Sequence, residues 1–300
     1  MTTFDTGARP VPDANPAAGR TLRQALAEAE RHLAAAAVPS PRTDAELLAG
    51  HLLGVGRGEL WAHHDGPVPS GFDDLVARRA ERIPLQHLTG RAYFRTVTLA
   101  VGPGVFSPRP ETEVVVGHAL DILGEHGPQP LVVDLCAGSG AIAAAMVTEA
   151  PHTKVHAVER DPGAHPWLTH NAAEHGFAAH LHDIEECLPH LDGSVDVVVA
   201  NPPYIPVDCV PRDVEVARFD PAMALYSGAD GLVHMRLVER VAARLLRPGG
   251  HVLVEHGDLQ GRSAPAVFSE AGRWYDVRDH PDLSGRDRYL TARRSPAGTT

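Results

Sequence analysis

The sequence predicts an α/β fold, in which helices cover both faces of a parallel sheet and a small helical domain comes first. Three observations predict it. From Leu131 onward, short apolar runs alternate with segments of helical periodicity. Several of these runs end directly in a polar side chain. The region before residue 84 shows helical periodicity alone. The change in pattern therefore predicts two domains of different architecture.

The N-terminal region is expected to hold a leader and three helices. Residues 1–19 are rich in Pro, Ala and Asp and lack the apolar segment of a signal peptide, so they are predicted to be a disordered leader. Helices are predicted over residues 22–37, from Thr43 onward, and over residues 72–83, where Pro84 ends the last one. Together they predict a helical domain over residues 20–83.

A linker with a hairpin is predicted next. Two short extended runs, at residues 93–95 and 97–101, favour a β-hairpin within a linker over residues 84–109. Pro110 marks the start of a helix that ends at Leu123. The main domain is then expected over residues 110–294, with a short tail at 295–300.

The main domain is predicted to alternate strand and helix. Strands are expected at residues 131–135, 154–158, 178–182, 195–200, 250–255 and 287–292, with helices at 139–149, 162–175, 231–246 and 259–271. Ligands of such sheets bind at the carboxyl ends of the strands. Asp134, Glu159, Asp183 and Asn201 all fall at such ends. The sequence therefore predicts a binding site on this edge of the sheet.

The segment Asn201-Pro202-Pro203-Tyr204 is the most informative motif. It follows an apolar, β-branched run, and two consecutive prolines cannot continue a ladder, so a rigid loop is expected there. The side-chain oxygen of Asn201 and the carbonyl of Pro202 can each accept one N–H. Tyr204 can pack on a flat group. This pattern favours a grip for a planar NH2-bearing group, either a carboxamide or a base amine.

A second motif lies upstream and is typical of nucleotide-like cofactors. Asp134 and Leu135 close an apolar run, and the loop Cys136-Ala137-Gly138-Ser139-Gly140 opens a helix. We call residues 136–140 the glycine loop. Glu159 follows about 20 residues further on, placed to accept ribose hydroxyls as in dinucleotide folds. Spacing alone leaves a nicotinamide cofactor possible, and the Asn-Pro-Pro-Tyr motif favours S-adenosylmethionine.

Composition excludes several function classes. The 300 residues carry a net charge of −11, which argues against a protein held on nucleic acid by phosphate neutralisation. No apolar stretch approaches the length of a membrane span. The three cysteines match no zinc pattern and indicate a reducing, cytoplasmic setting. The nineteen histidines are scattered, so no metal site is expected.

Over residues 20–294 the chain resembles the protein-(glutamine-N5) methyltransferases that modify bacterial peptide chain release factors. The resemblance rests on the Asn-Pro-Pro-Tyr motif together with residues 84–90 (Pro-x-x-His-x-x-Gly), 107–113 (with Pro-Arg-Pro-x-Thr-Glu) and 218–221 (Arg-Phe-Asp-Pro). Two departures are Cys136, where many members carry glycine, and Phe106-Ser107, which replaces an aliphatic pair.

The resemblance implies a Rossmann-like, class I S-adenosylmethionine-dependent methyltransferase. Its substrate would be the Gly-Gly-Gln glutamine of class 1 release factors, methylated by direct in-line transfer. Asn201, Pro202 and Tyr204 would be catalytic, and Pro203 would complete the substrate contact. Asp134, the glycine loop, Glu159, Asp183 and Asn201 would hold the cofactor, with Glu159 on the ribose and Asp183 on the adenine amine.

Three alternatives stay open at this point. The first is glutamine methylation of another protein, such as a ribosomal protein. The second is adenine N6 methylation of nucleic acid, which shares the Asn-Pro-Pro-Tyr motif but needs a basic recognition region and an extruded base. The third is a non-catalytic module that retains the fold. We expect no direct nucleic-acid or membrane partner, and the helical domain is expected to dock the protein substrate.

Overall fold

The computed structural model describes residues 19–296, which form two compact units that divide after Gly90. The predicted leader lies outside the described residues except for Gly19, and so do residues 297–300 of the predicted tail. The described residues of the first unit form four α-helices, α1 (Leu22–Ala35), α2 (Pro41–Leu53), α3 (Phe72–Ala80) and α4 (Leu85–Thr89), and a 3-10 helix over Arg57–His63. The short helix α4 was not expected from the sequence.

The first unit has its own apolar core. Thr21 and Gln24 form a capping box at the start of α1, which satisfies backbone donors that the helix leaves free. The core is built from one side of each helix, with Leu26, Leu48 and Phe72 almost fully buried. Helix α2 begins two residues earlier than the Thr43 start that we predicted, because Pro41 occupies its first turn.

The second unit contains a hairpin, a seven-stranded sheet and six helices. The hairpin pairs β1 (Arg91–Phe94) with β2 (Val97–Ala100). The sheet strands are β3 (Leu131–Leu135), β4 (Lys154–Glu159), β5 (Ala178–Leu181), β6 (Val195–Ala200), β7 (Leu246–Glu255), β8 (Trp274–Pro281) and β9 (Asp287–Arg294). The helices are α5 (Thr112–Leu123), α6 (Ala141–Glu149), α7 (His165–His175), α8 (Val214–Phe219), α9 (Val233–Leu245) and α10 (Ser263–Ser269).

The sheet has the order β5-β4-β3-β6-β7-β9-β8. Strands β3 to β7 are parallel, as expected, whereas β9 runs antiparallel to both β7 and β8. Strand β8 was missed because its sequence, Trp-Tyr-Asp-Val-Arg-Asp-His-Pro, carries the charges of an edge strand instead of an apolar run. A tight β8–β9 connection explains the reversed direction.

Two apolar cores lie on opposite faces of the sheet. In β6 the side chains of Val197 and Val199 join one core, and those of Val198 and Ala200 join the other. This alternation follows from the two-residue period of a strand, and burial on both faces explains the continuous apolar run. The hairpin belongs to the first of these cores through Phe94 and Leu99.

Candidate active site

A cleft of about 800 Å³ opens at the carboxyl ends of β3, β4, β6 and β7. Its lining includes nine of the twelve side chains or backbone positions predicted from the sequence: Cys136, Ala137, Gly138, Ser139, Glu159, Asn201, Pro202, Pro203 and Tyr204. Of the described residues, Asp134, Gly140 and Asp183 were also predicted for the site but do not line the cleft. The two sequence motifs therefore meet in one cavity, although their roles stay predictions.

The Asn-Pro-Pro-Tyr loop is held by contacts with three other segments. Asn201 Nδ2 donates a hydrogen bond to Thr112 Oγ1 at 3.2 Å, at the first residue of α5. Gln260 Nε2 donates to the carbonyl of Tyr204 at 3.1 Å. Gly231 has a φ of +73°, and a Cβ there would lie 2.3 Å from the Tyr204 carbonyl oxygen. Glycine is thus required at position 231 for this loop to keep its place.

A buried carboxyl group, that of Glu255 at the end of β7, lies behind this loop. Thr112 Oγ1 donates to Glu255 Oε2 at 2.7 Å, and the Tyr204 hydroxyl lies 3.4 Å from Glu255 Oε1. Burial raises the pKa of Glu255 to about 7, against the effect of the Thr112 hydrogen bond. Burial also raises the pKa of the Tyr204 hydroxyl, which therefore keeps its proton near neutral pH.

The glycine loop adopts a left-handed backbone at three of its five residues. The φ angles are +61° at Cys136, +56° at Gly138 and +83° at Gly140. For a residue with a Cβ this conformation costs roughly 1–2 kcal/mol, so Cys136 is a strained substitute for glycine. A Cβ at Gly140 would lie 2.6 Å from the Phe177 ring, so packing and the positive φ both explain glycine there.

Glu159 ends β4 and is tied to the glycine loop. Its Oε2 accepts the N–H of Gly138 at 2.8 Å, and its Oε1 accepts the N–H of Asp161 at 2.7 Å. An ionised carboxylate has about four acceptor positions, so about two remain for a ligand. This arrangement suits a pair of vicinal hydroxyls presented from within the cleft.

Asp134 holds the helix that follows the glycine loop. Its side chain is fully buried, and Oδ2 accepts the N–H of Ala143 in the first turn of α6 at 3.2 Å. Burial raises the pKa of Asp134 to about 8, and the charge of Glu159 adds to this rise. At neutral pH the cofactor-free protein therefore holds Asp134 mostly as the neutral acid.

The titration of Asp134 predicts a pH dependence of stability. Between about pH 4 and pH 8 the folded protein binds a proton at Asp134 that the unfolded chain releases. The free energy of unfolding therefore falls as pH rises through this window. We expect Asp134→Asn, which resembles the neutral acid, to flatten the fall in melting temperature between about pH 5 and pH 8. A wild-type and a variant protein with parallel pH profiles would contradict this assignment.

Asp183 lies just outside the cleft lining. Its carboxylate accepts the N–H of Glu185 at 3.1 Å and lies 3.7 Å from Arg160 Nη1, with about half of the side chain exposed. The next residue, Ile184, does line the cleft. The contact between Asp183 and an adenine amine therefore stays a prediction, with Ile184 as the apolar wall beside it.

Two of the motifs that carry the family resemblance are joined by an ion pair. Arg109 Nη2 lies 2.5 Å from Asp220 Oδ2, which connects the Pro-Arg-Pro segment to the Arg-Phe-Asp-Pro segment. The guanidinium group of Arg109 also lies 4.9 Å from the centre of the Phe106 ring. Phe106, one of the two departures noted above, thus lines the cleft beside the arginine.

Thr112 and Glu255 are cleft residues that sequence reasoning missed. Glu255 directly follows the apolar run Val252-Leu253-Val254, so it carries the same signal as Glu159, a carboxylate at the end of a strand. Thr112 lies within the Pro-Arg-Pro segment quoted above but was assigned no role. Applying the strand-end rule to every strand would have identified Glu255. No group of three or more potential metal ligands occurs within residues 19–296.

Comparison with known proteins identifies the family. The model of the PrmC N-terminal domain matches residues 24–90, and that of the methyltransferase small domain matches residues 96–215. A release factor glutamine methyltransferase from Streptomyces coelicolor is 51% identical over 272 residues, which are 90% of this chain and 97% of that protein. The chain belongs to the release factor glutamine methyltransferase family.

Other relatives show the range of this family. A release factor glutamine methyltransferase from Mycolicibacterium smegmatis is 46% identical, over 91% of this chain and 98% of that protein. A 4-amino-L-phenylalanine/4-methylamino-L-phenylalanine methyltransferase from Streptomyces pristinaespiralis is 41% identical, over 93% and 97%. The release factor-specific protein-(glutamine-N5) methyltransferase structure from Alicyclobacillus acidocaldarius is 28% identical, over 65% of this chain and 99% of that one, with a TM-score of 0.40.

The family assigns the fold and the cofactor. The sheet is the Rossmann-like sheet of class I methyltransferases, and the chain is an S-adenosylmethionine-dependent enzyme. The cleft fits this cofactor, because Glu159 offers free acceptor positions beside a left-handed loop and most of the remaining lining is apolar. A helix able to cross a membrane is absent from residues 19–296.

Proposed function

We propose that this enzyme methylates the side-chain amide nitrogen of the Gly-Gly-Gln glutamine in class 1 peptide chain release factors, in the cytoplasm. One observation carries the proposal. The Asn-Pro-Pro-Tyr loop and Glu159 line a single cleft in a chain that is 51% identical to a release factor glutamine methyltransferase. The loop would supply acceptors for an NH2 group, and Glu159 would supply a carboxylate for the cofactor.

The chain's own residues would act by positioning and by polarisation. A carboxamide nitrogen is a poor nucleophile because its lone pair is delocalised. Asn201 Oδ1 and the Pro202 carbonyl would accept its two hydrogens and stabilise positive charge as it develops on nitrogen. The Tyr204 ring would pack on the amide plane and exclude water. Bound S-adenosylmethionine supplies the electrophilic methyl group.

The cofactor contacts follow from the same geometry. Glu159 would accept both ribose hydroxyls with the positions that the backbone leaves free. Cys136, Ala137, Gly138 and Ser139 would face the methionine part. Asp134 would act indirectly, because its carboxyl holds the first turn of α6 and does not line the cleft.

A second candidate acceptor comes from the relative in Streptomyces pristinaespiralis. That protein is named for an aromatic amine, and it is as similar to this chain as several release factor enzymes are. An aromatic amine is also a planar NH2 group, so the Asn-Pro-Pro-Tyr loop suits it. Whole-protein recognition separates the two candidates, because a free amino acid needs no docking surface.

A nucleic-acid substrate fits the cleft less well. Seven carboxylate residues and five arginines line it, namely Glu111, Glu159, Asp161, Asp213, Asp230, Glu255 and Asp258 against Arg109, Arg160, Arg212, Arg286 and Arg288. Phosphate backbones require the opposite balance. We therefore propose that no nucleic acid is bound directly.

An acceptor panel tests the proposed function. The full chain would be incubated with methyl-labelled S-adenosylmethionine and, separately, with a purified class 1 release factor, a release factor whose Gly-Gly-Gln glutamine is replaced by alanine, 4-amino-L-phenylalanine, and adenine-containing DNA. Label transfer to the first acceptor alone is expected. Transfer to 4-amino-L-phenylalanine in preference to the release factor would replace the proposal by the second candidate.

We also propose that the helical unit docks the protein substrate. Its core and the cores of the second unit share no residue, so the chain from Arg91 onward is expected to fold by itself. Removing residues 1–90 should leave the affinity for S-adenosylmethionine unchanged but greatly reduce methylation of an intact release factor. A short Gly-Gly-Gln peptide at high concentration should lose much less. Equal losses for peptide and protein would contradict the docking role.

A further inference from the structure

A continuous hydrogen-bonded chain links the catalytic amide to a buried acid. It runs from Asn201 Nδ2 to Thr112 Oγ1 at 3.2 Å, and from Thr112 Oγ1 to Glu255 Oε2 at 2.7 Å. The three residues come from the end of β6, the start of α5 and the end of β7. Thr112 is 5% exposed and Glu255 is 2% exposed, so water does not compete freely for these bonds.

The chemistry of the hydroxyl group fixes the direction of this chain. A threonine hydroxyl has one proton, and a carboxylate can only accept. When Glu255 is ionised, Thr112 therefore gives its proton to Glu255 and must accept from Asn201. This requirement places the NH2 of Asn201 on Thr112 and leaves Oδ1 as the atom that can face a substrate.

The orientation of Asn201 matters because an amide has two chemically opposite ends. Its terminal torsion has two similar positions related by a half turn. In one position Asn201 offers an oxygen to the NH2 of the substrate, and in the other it offers a second NH2, which cannot accept a hydrogen bond. Without the chain, both orientations are accessible and part of the enzyme is unproductive.

We propose that Thr112 and Glu255 are positioning residues that hold the Asn201 amide with its oxygen toward the substrate nitrogen. The inference rests on the proposed function in that the acceptor is an NH2 group, whether of a glutamine or of an aromatic amine. Glu255 Oε1 lies 3.4 Å from the Tyr204 hydroxyl, so the same carboxyl group also contacts the far end of the loop. One buried acid thus steadies both polar side chains of the Asn-Pro-Pro-Tyr loop.

The charge of Glu255 should appear in the pH profile. Burial raises its pKa to about 7, the Thr112 hydrogen bond and Arg288 lower it, Glu111 raises it, and the Tyr204 hydroxyl faces its other oxygen. A protonated Glu255 can donate to Thr112, which then turns its own proton toward Asn201 and favours the unproductive amide. We expect kcat to fall as pH falls through about 7, and Glu255→Gln to lose this limb.

Thr112→Val tests the chain most directly, because it keeps the shape and removes the hydroxyl. In the full chain we expect kcat to fall by about 10- to 100-fold, with the affinity for S-adenosylmethionine unchanged by calorimetry. Thr112→Ser should recover most of the lost activity. Thr153→Val, at another buried threonine outside the cleft, is the matched control and should leave kcat unchanged.

A spectroscopic measurement tests this inference without depending on which substrate the enzyme methylates. In the 15N–1H spectrum of the substrate-free protein, the Asn201 side-chain NH2 is identified by its loss in Asn201→Ala. We expect this signal to shift and exchange faster with water in Thr112→Val, whatever acceptor the enzyme uses. An unchanged signal, or a kcat within about threefold of the wild-type value, would overturn the inference. If Thr112→Val does not fold, Glu255→Gln is the test variant. A Glu255→Gln enzyme whose kcat still falls at low pH as in the wild type would also overturn the inference.

Discussion

Replacing Asn201 by alanine is expected to reduce methyl transfer by about 100-fold or more without unfolding the protein. Asn201 is half-buried at the end of β6, and its Nδ2 makes a single hydrogen bond, to Thr112. The substitution removes the proposed acceptor for one substrate hydrogen and leaves the Pro202 carbonyl as the other. Steady-state transfer to the release factor, measured with the melting temperature of both proteins, checks the prediction.

The controls separate loss of chemistry from loss of binding. Calorimetry should show a smaller loss of affinity for S-adenosylmethionine in Asn201→Ala than in Glu159→Ala, because Glu159 and the glycine loop are untouched. The loss should appear in kcat more than in KM, since the interaction strengthens as charge develops on nitrogen. Near-wild-type turnover in a folded Asn201→Ala protein would refute the role of this residue.

Replacing Glu159 by alanine is expected to weaken S-adenosylmethionine binding by ~1.5–3 kcal/mol, the range for hydrogen bonds to a charged group. That range corresponds to about 10- to 150-fold in Kd. The same change also removes the acceptor for the N–H groups of Gly138 and Asp161, so the loop loses part of its support. Calorimetry with the cofactor alone is the direct measurement.

Asp183→Ala provides the comparison for Glu159→Ala. Asp183 is about half exposed and lies outside the cleft lining, so its loss should weaken cofactor binding less than the loss of Glu159 does. Saturating cofactor should restore most of the rate in Glu159→Ala, because the substrate grip is intact. An unchanged Kd in Glu159→Ala would remove this residue from the binding site.

Most of the sheet was predictable because burial on both faces leaves a plain signal. Strands β3 and β6 were predicted with their observed bounds, since both are short apolar runs closed by a polar residue or by prolines. Strand β8 was not, because an edge strand needs no continuous apolar run. Its absence from the prediction also concealed the reversal of β9.

The cleft lining was predictable where a polar residue ends or directly follows a buried strand. The ends of β4 and β6 gave Glu159 and Asn201, and both line the cleft. Asp134 carried the same sequence signal, but its fully buried carboxyl accepts the N–H of Ala143 in α6 and does not line the cleft. Sequence spacing cannot separate Asp134 from Glu159, because both are carboxylate residues at strand ends and only the packing decides which one faces the cleft.

The hydrogen-bonded chain behind Asn201 was not predictable from spacing. Asn201 and Glu255 lie 89 and 143 residues from Thr112 in the sequence, and only the fold brings α5, β6 and β7 together. In the sequence, Thr112 is an ordinary residue of a first helical turn, and Glu255 is an ordinary residue at the end of a strand. Their role depends on the hydrogen bonds between them, which only the tertiary structure shows.

Locating the transferred methyl group tests the central claim most directly. A release factor methylated by the wild-type enzyme would be digested and sequenced by tandem mass spectrometry. We expect one added methyl on the Gly-Gly-Gln glutamine, and acid hydrolysis of the labelled peptide should release the label as methylamine, because the carbon is bonded to the amide nitrogen. A methyl group on any other residue, or label released as methanol from an ester, would contradict the account.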